Sequence, residues 1–285
     1  MNNIILVAET GSDIPKDIAE EMGIFLVPMH VTMGSDTFDD GTFPIEKIYE
    51  YYNDTNKIPK TSGSSPEDFI RVFDEIHRLY PDKQILHLAY SAVTTCSYQS
   101  ALIAAEDRDY IMSFDTKQVS IGQGAIVIQT ARYLKANPNV TMEELVEEVT
   151  NLRDSCQMCF VPDKLEYLKA GGRVSNAVFI GGKILSIHPS IEIENGYLVA
   201  KKKYRGKMER VVTKMIEEYS HMKNLDKKEV WLLWSMGLPN TVRRAAEHKI
   251  KEIGFEKIRW MQTGCVITTH GGPGSFGIVG FSKAI

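Results

Sequence analysis

No run of apolar residues approaches the roughly 18 that a membrane-spanning helix needs, so no such helix is expected. Cysteine is scarce: Cys96, Cys156, Cys159 and Cys265 are the only four in 285 residues. They do not form the dense framework of a small disulfide-stapled domain and are expected to be free thiols in a reducing compartment. Cys156-Gln157-Met158-Cys159 has C-x-x-C spacing, yet no second pair and no nearby histidine completes a zinc set. The expectation there is a buried strand face of Cys156, Met158 and Phe160, with no metal. Positive charge is not in excess either. Thirty-three Lys and Arg against 37 Asp and Glu give a net charge of −4, which argues against a general nucleic-acid or anionic-membrane binder. The phosphate-loop pattern G-x-x-x-x-G-K-[ST] is missing, so a nucleotide kinase is not expected. The first ten residues lack the basic segment of a secretory leader and read as a strand, so the expected location is the cytoplasm.

What is present is an ordinary globular balance, 43% hydrophobic and 25% charged. That is enough apolar material for a large core and a lined cavity, and the length suits two domains. In the first half, short apolar runs alternate with helical patterns. Strands are expected at Ile4–Ala8, Phe25–Val31, Gln84–Ala89 and Tyr110–Phe114. Helices are expected at Ile14–Glu21 (capped by Ser12-Asp13), Pro44–Tyr52, Pro66–Leu79, Tyr98–Glu106, Ile121–Lys135 and Met142–Ser155. This alternation predicts an α/β fold, a mostly parallel sheet with helices on both faces. Past residue 160 the texture changes. Gly171-Gly172, Gly181-Gly182 and Asn195-Gly196 punctuate shorter segments, and Asn-Gly between β-type runs is a hairpin signal. Strands are expected at Val230–Ser235, Lys257–Met261 and Gly277–Phe281, and helices at Val211–Met222 and Thr241–Ile253. The reading is an N-terminal α/β domain over 1–160 and an α+β domain over 161–285, with a ligand between them.

Three loops carry chemistry. Lys60-Thr61-Ser62-Gly63-Ser64-Ser65-Pro66-Glu67 places hydroxyls and a glycine before a helix, with Ser65 as cap and Pro66 as first helical residue. Ser91-Ala92-Val93-Thr94-Thr95-Cys96-Ser97 follows a strand and opens the next helix. Ligands bind at the carboxyl ends of strands in such sheets, and helix starts favour anions. One such loop needs no explanation beyond capping; two in one sheet leave capping and an anion site as competing readings. The third is Thr269-His270-Gly271-Gly272-Pro273-Gly274-Ser275-Phe276-Gly277. A lone histidine is most often a packing or surface residue. One presented by a glycine-rich loop allows close approach to a ligand, which His270 can meet with an N–H or a positive charge.

Taken in order, these pieces resemble the DegV family of fatty-acid-binding proteins, which includes the acyl-carrier subunit of bacterial fatty acid kinase. The resemblance runs over nearly the whole chain. It rests on Glu9-Thr10-Gly11-Ser12-Asp13, Val27-Pro28, Asp40-Gly41, Thr61-Ser62, the Ser91 loop with Tyr98-Gln99-Ser100-Ala101, and Asp115. It continues through Leu165-Glu166-Tyr167-Leu168, Gly171-Gly172-Arg173-Val174-Ser175, His188-Pro189, Arg205-Gly206 and His270 with Gly272-Pro273-Gly274. It implies a two-domain, non-enzymatic carrier without cofactor, holding a long-chain fatty acid in an apolar tunnel. Thr61, Ser91 and His270 are the implied carboxylate ligands, with the backbone N–H of Ala92 as a further donor and the head group ionised. It also implies a fatty acid kinase as partner, docked on Arg173 and Arg205, which phosphorylates the bound acid. Transient contact with a membrane surface is compatible with that role. The family usually has Asp-Ser where this chain has Glu9-Thr10, a glycine at Cys96 and a second serine at Ala92. These departures bear on loop shape more than on the carboxylate ligands.

The energetics suit a lipid. Each buried methylene contributes about 0.8 kcal/mol, so a long acyl chain offers on the order of 10 kcal/mol before the costs of association. Two rival readings share the same residues. One is a binding module for another small anionic metabolite, which hydroxyl-rich helix starts permit. The other is a serine hydrolase using Ser91 and His270. It lacks a G-x-S-x-G elbow at Ser91 and an acid evidently set to orient the histidine.

Overall fold

The computed structural model describes residues 3–174 and 187–283. Gly181-Gly182 and Ser175, read as a turn and a motif end, lie outside the described residues. The chain forms two compact units. Met1–Pro44 with Pro59–Asp154 make the first, and Ile45–Ile58 with Ser155–Ile285 make the second.

The chain starts with β1 (Ile4–Glu9), a 3-10 turn (Thr10–Ser12), α1 (Lys16–Met22) and β2 (Ile24–Val27). A meander follows, β3 (His30–Met33) and β4 (Asp36–Asp39), then α2 (Glu46–Thr55) and β5 (Lys60–Ser62). The first unit ends with α3 (Pro66–Leu79), β6 (Gln84–Ala89), α4 (Ser97–Ala104), β7 (Ile111–Asp115), α5 (Ser120–Ala136) and α6 (Met142–Ser155). Its main sheet has the order β2-β1-β6-β7 and is parallel throughout. Side chains alternate across it. Ile5, Val7, Val27 and Ile85 face Phe69, Val72, Phe73 and Ile76 of α3 and Ala101 and Ala104 of α4. α5 packs on β1 and β6, and its residues Ile121 to Ile128 are all buried. The expected sheet with helices on both faces is present.

Two local differences have clear causes. The single strand expected over Phe25–Val31 is two strands, β2 and β3. Pro28 has no N–H to give a ladder, and the chain leaves the parallel sheet there. β3 then pairs antiparallel with β4 and with β5, so Thr61 sits on a strand, opposite Val31, rather than in a loop. Ser12-Asp13 do not cap α1. Asp13 is left-handed (φ 54) and accepts the Ser120 hydroxyl, while Pro15 precedes the helix with no side-chain cap.

The second unit takes β8 (Cys156–Val161), α7 (Leu165–Gly171), β9 (Ile187–Glu194), β10 (Tyr197–Arg205), α8 (Met208–Met222), β11 (Val230–Trp234), α9 (Asn240–Ile253), β12 (Ile258–Gln262), α10 (Cys265–Gly271) and β13 (Phe276–Phe281). Its sheet has the order β10-β9-β8-β13-β11-β12, antiparallel except for the parallel pair β11 and β12. Asn195 (φ 48) and Gly196 (φ 86) make the hairpin turn between β9 and β10. α8 and α9 cover one face through Val212, Met215, Ile216, Val242, Ala246 and Ile250.

A division at residue 160 would leave two segments in the wrong unit. β8 is hydrogen-bonded between β9 and β13, so Cys156–Val161 belongs to the second sheet. α2, expected in the first domain, also belongs to the second. Its Tyr49 hydroxyl donates to the Met236 carbonyl (3.2 Å), Tyr52 donates to Glu166 (3.3 Å), and both rings pack on Tyr167. Cys156, Met158 and Phe160 are buried, as are Cys159 and Val161 on the alternate positions. Burial pushes the thiols of Cys156 and Cys159 up, which keeps them protonated. Among the described residues no group of three or more His, Cys, Asp or Glu is placed to hold a metal ion.

Candidate functional site

In the first unit the site is built where strands end. Taken in chain order, the four parallel strands run 2-1-3-4 across the sheet. The chain therefore reverses direction of winding between β1 and β6, the switch point at whose carboxyl ends sheets of this kind form a ligand crevice. Register pairing of β1 with β6 stops at Val7 and His87. Beyond it come Glu9-Thr10 on one side and Tyr90-Ser91-Ala92 on the other.

The two hydroxyl loops expected from the sequence meet here. Ser64 N–H donates to Ser97 Oγ (3.0 Å), and Thr95 Oγ1 and Ser97 Oγ lie 3.1 Å apart. A Cβ on Gly63 would overlap both of those hydroxyls, so the glycine is what lets the loops touch. Ser65 caps α3 in a reciprocal box with Asp68: Ser65 Oγ accepts from Asp68 N–H (3.2 Å) and Asp68 Oδ2 accepts from Ser65 N–H (2.9 Å). His30 adds a bond to the same carboxylate at 2.8 Å. Burial raises Asp68, but the Ser65 hydroxyl and N–H and then His30 outweigh it, and the carboxyl titrates below its ordinary value.

Ser91 is fully buried, and its N–H donates to Gln118 O at 2.9 Å. Its carbonyl accepts from the N–H (3.0 Å) and the hydroxyl (2.9 Å) of Thr94, closing a tight turn. Thr61 is half-buried on β5. The Ala92 N–H, expected to face a ligand, donates to Asp115 Oδ1 at 3.3 Å; the same oxygen accepts from Lys117 N–H at 2.9 Å. Cys96 has φ −79, an ordinary value, so the residue standing where the family has glycine is unstrained.

Beneath Ser91 lies a group that sequence reasoning did not single out. Glu9 is buried at the end of β1. Its Oε2 accepts from Tyr90 N–H (2.9 Å) and from Gln123 Nε2 (2.7 Å), and Oε1 lies 3.3 Å from His87 Nε2. Burial alone would raise its pKa, but His87, the Tyr90 N–H and Gln123 together hold it below the usual carboxylate value. The available signal was positional: an acid at the carboxyl end of the first strand, beside the switch point.

In the second unit His270 does not sit in a glycine-rich loop. It lies in the last turn of α10, and Gly272 terminates the helix. The helix is held by its neighbour α7. A Cβ on Gly171 would overlap His270 Nδ1, so the glycine of the Gly171-Gly172-Arg173 motif makes room for the imidazole. Gly272 has φ 71 and ψ −179, a conformation nearly confined to glycine, and its Cα faces the Tyr167 ring. Arg173 donates to the Gly171 carbonyl at 2.8 Å. Burial first, then the Arg173 charge, pushes His270 down to about 4. At neutral pH it is a neutral imidazole offering one N–H, not the cation that an ion pair would need. The two motifs far apart in sequence are thus one structure.

Arg173 and Arg205 are both exposed. Val174 bridges to Leu198 near the start of β10, and Arg205 ends that strand. At about 3.3 Å per residue the two positions are roughly 20 Å apart along it.

A family model described as uncharacterised proteins of the DegV family matches residues 3–283. The chain belongs to the DegV family. A DegV domain-containing protein of Caldanaerobacter subterraneus subsp. tengcongensis is 29% identical over 286 residues, covering 98% of each chain. A solved DegV family protein from Thermus thermophilus, described as fatty acid binding, superposes with a TM-score of 0.88 at 26% identity. It covers 99% of this chain and 100% of its own. A DegV family protein from Eubacterium eligens, loaded with heptadecanoic acid, shares the fold with a TM-score of 0.85 at 17% identity; 98% of this chain and 100% of that one are covered. Both of these solved relatives are described with a fatty acid. Among the described residues no helix is long and apolar enough to cross a membrane.

Proposed function

We propose that this chain binds one long-chain fatty acid without transforming it. The acid's carboxylate is taken by the hydroxyls of Thr61 and Ser91 and by the imidazole of His270. The observation that carries this reading is the Ser91 turn. A buried hydroxyl follows a parallel strand at the point where the sheet's winding reverses, in a chain whose relative from Thermus thermophilus is described as fatty acid binding. The Ala92 N–H joins as a donor by exchanging or sharing its 3.3 Å bond to Asp115, which is long for an N–H to carboxylate bond. A neutral His270 contributes a hydrogen bond and not a charge, so head-group recognition rests on neutral donors and the acyl chain supplies most of the affinity.

The test replaces the three side chains together, Thr61→Val, Ser91→Ala and His270→Phe, and measures oleate affinity by displacement of a fluorescent fatty acid. Loss of three hydrogen bonds to one carboxylate, each about 1.5–3 kcal/mol, is expected to weaken binding by at least 100-fold. Unchanged affinity would remove the head-group assignment.

We further propose that the bound acid is presented to a fatty acid kinase docked on Arg173 and Arg205, with an acyl phosphate as product. Two exposed arginines roughly 20 Å apart fit within a standard docking footprint of about 800 Å². The Arg173→Ala variant is expected to keep oleate binding while losing kinase-dependent phosphorylation at least several-fold; intact phosphorylation would end the docking role.

A further inference from the structure

Glu9 has no place among the proposed ligands, yet it is a fully buried carboxylate held from three sides beside Ser91. The main-chain ladder between β1 and β6 ends at Val7 and His87. The two strands part, and the N–H of Tyr90, immediately before Ser91, finds the Glu9 carboxylate at 2.9 Å. The carboxylate does not depend on Tyr90 to stay in place. Gln123 Nε2 of α5 donates to it at 2.7 Å and also donates to the Leu88 carbonyl at 2.8 Å, so one amide ties the acid to the body of β6. His87 approaches from the other side at 3.3 Å. Its Nδ1 lies 3.1 Å from Ser113 Oγ on β7, and its ring packs edge-on against Phe69. Glu9, His87 and Gln123 are all fully buried.

The consequence falls on one residue. The Ser91 N–H is fixed by Gln118 O and its carbonyl by Thr94, and the preceding peptide is fixed by Glu9. Gly11 keeps the Tyr90 ring close to the same turn; a Cβ there would come within 3.2 Å of it. A hydroxyl set between three fixed backbone points has little freedom to move.

We propose that Glu9 is a positioning residue for Ser91: its carboxylate replaces the missing ladder acceptor at the strand divergence and so sets the Ser91 hydroxyl for a ligand carboxylate. This rests on Ser91 being a head-group ligand. The role belongs to the acceptor oxygen and not to the negative charge, because the acid touches Tyr90 N–H and not the ligand.

The full chain is tested as Glu9→Met, Glu9→Gln, Ser91→Ala and Glu9→Met with Ser91→Ala, each titrated with oleate. Ser91→Ala is expected to weaken binding about 10-fold. Glu9→Met, which keeps length but removes the acceptor, is expected to lose a similar factor, and Glu9→Gln to recover to within a few-fold of the parent. The decisive result is the double variant. If Glu9 acts through Ser91, it binds no more weakly than the worse single variant. Multiplied losses, an unaffected Glu9→Met, or a Glu9→Gln as weak as Glu9→Met would each overturn the inference while leaving the head-group reading intact. An unaffected Ser91→Ala would overturn the head-group reading and this inference with it. Should Glu9→Met not fold, Gln123→Met removes one hold on the carboxylate. Its smaller loss must likewise vanish in the Ser91→Ala background, and a loss that persists there would overturn the inference.

Discussion

In the first unit Ser91 stands on a loop that follows a parallel strand and Thr61 on the antiparallel strand β5; in the second a single imidazole stands in the last turn of a seven-residue helix. The two arrangements are made rigid by different means. Around Ser91 the backbone is held by polar bonds: Glu9 on Tyr90, Gln118 on Ser91, Asp115 on Ala92 and Lys117. Around His270 the constraint is steric. Gly171 leaves space that only a hydrogen can leave, and Gly272 turns the chain against Tyr167 in a conformation that other residues avoid. A hydroxyl that must meet an anion gains from a network of fixed donors and acceptors. An imidazole kept neutral gains from tight packing that excludes water. The contrast implies that the second site should break with added volume and the first with lost polar partners.

The largest effect expected from this contrast is that of Gly272→Ala. The new methyl meets Tyr167 at 2.7 Å and the backbone is strained at φ 71. Strain and overpacking together should destabilise by about 2–5 kcal/mol, read as a drop in urea midpoint. An unchanged midpoint would show that the Tyr167 contact is not tight.

Next comes pH. His270 takes a proton near 6.5 when unfolded and near 4 when folded. The neutral form's contribution is complete above about pH 6.5 and is lost as pH falls toward 4, by at most about 3 kcal/mol. Urea unfolding of the parent and of His270→Gln should therefore converge on acidification through that window. Parallel curves would mean that the imidazole is not shifted. In the Arg173→Ala variant the His270 ring resonances should titrate at a higher pH than in the parent, since the second cause of the depression is gone.

The smallest effect is on the polar side. Ser65→Ala removes a reciprocal cap on α3 and should cost about 1 kcal/mol. It spares the site geometry, because the loops also meet through Ser64, Thr95 and Ser97. A fall in oleate affinity larger than the fall in stability would show that the cap shapes the site directly.

Much of this was readable in the sequence, for identifiable reasons. Helix bounds at Pro66–Leu79 and Met142–Ser155, and the strand Gln84–Ala89, match because capping, periodicity and β-branched content agree there. Thr61, Ser91 and His270 could be named, the loops from their hydroxyl pattern and the full set from family resemblance. Long-range steric relations were not readable. Nothing local to Gly171 indicates that a histidine 99 residues later needs its missing side chain, and nothing in Glu46–Thr55 indicates that its tyrosines pack on Tyr167. Glu9 entered only as part of the first turn of the family resemblance and as a departure from the family's usual Asp-Ser, with no role of its own. Its role follows from the gap that opens when two parallel strands separate, which is a property of the sheet and not of the residue.

The central claim concerns where a fatty acid's carboxylate is held. A crystal structure of the chain with oleate tests it most directly. The account predicts carboxylate oxygens within hydrogen-bonding distance of Thr61 Oγ1, Ser91 Oγ and a ring nitrogen of His270. A head group seated instead on the exposed lysines Lys201 to Lys203 of β10, with those three side chains untouched, would contradict it.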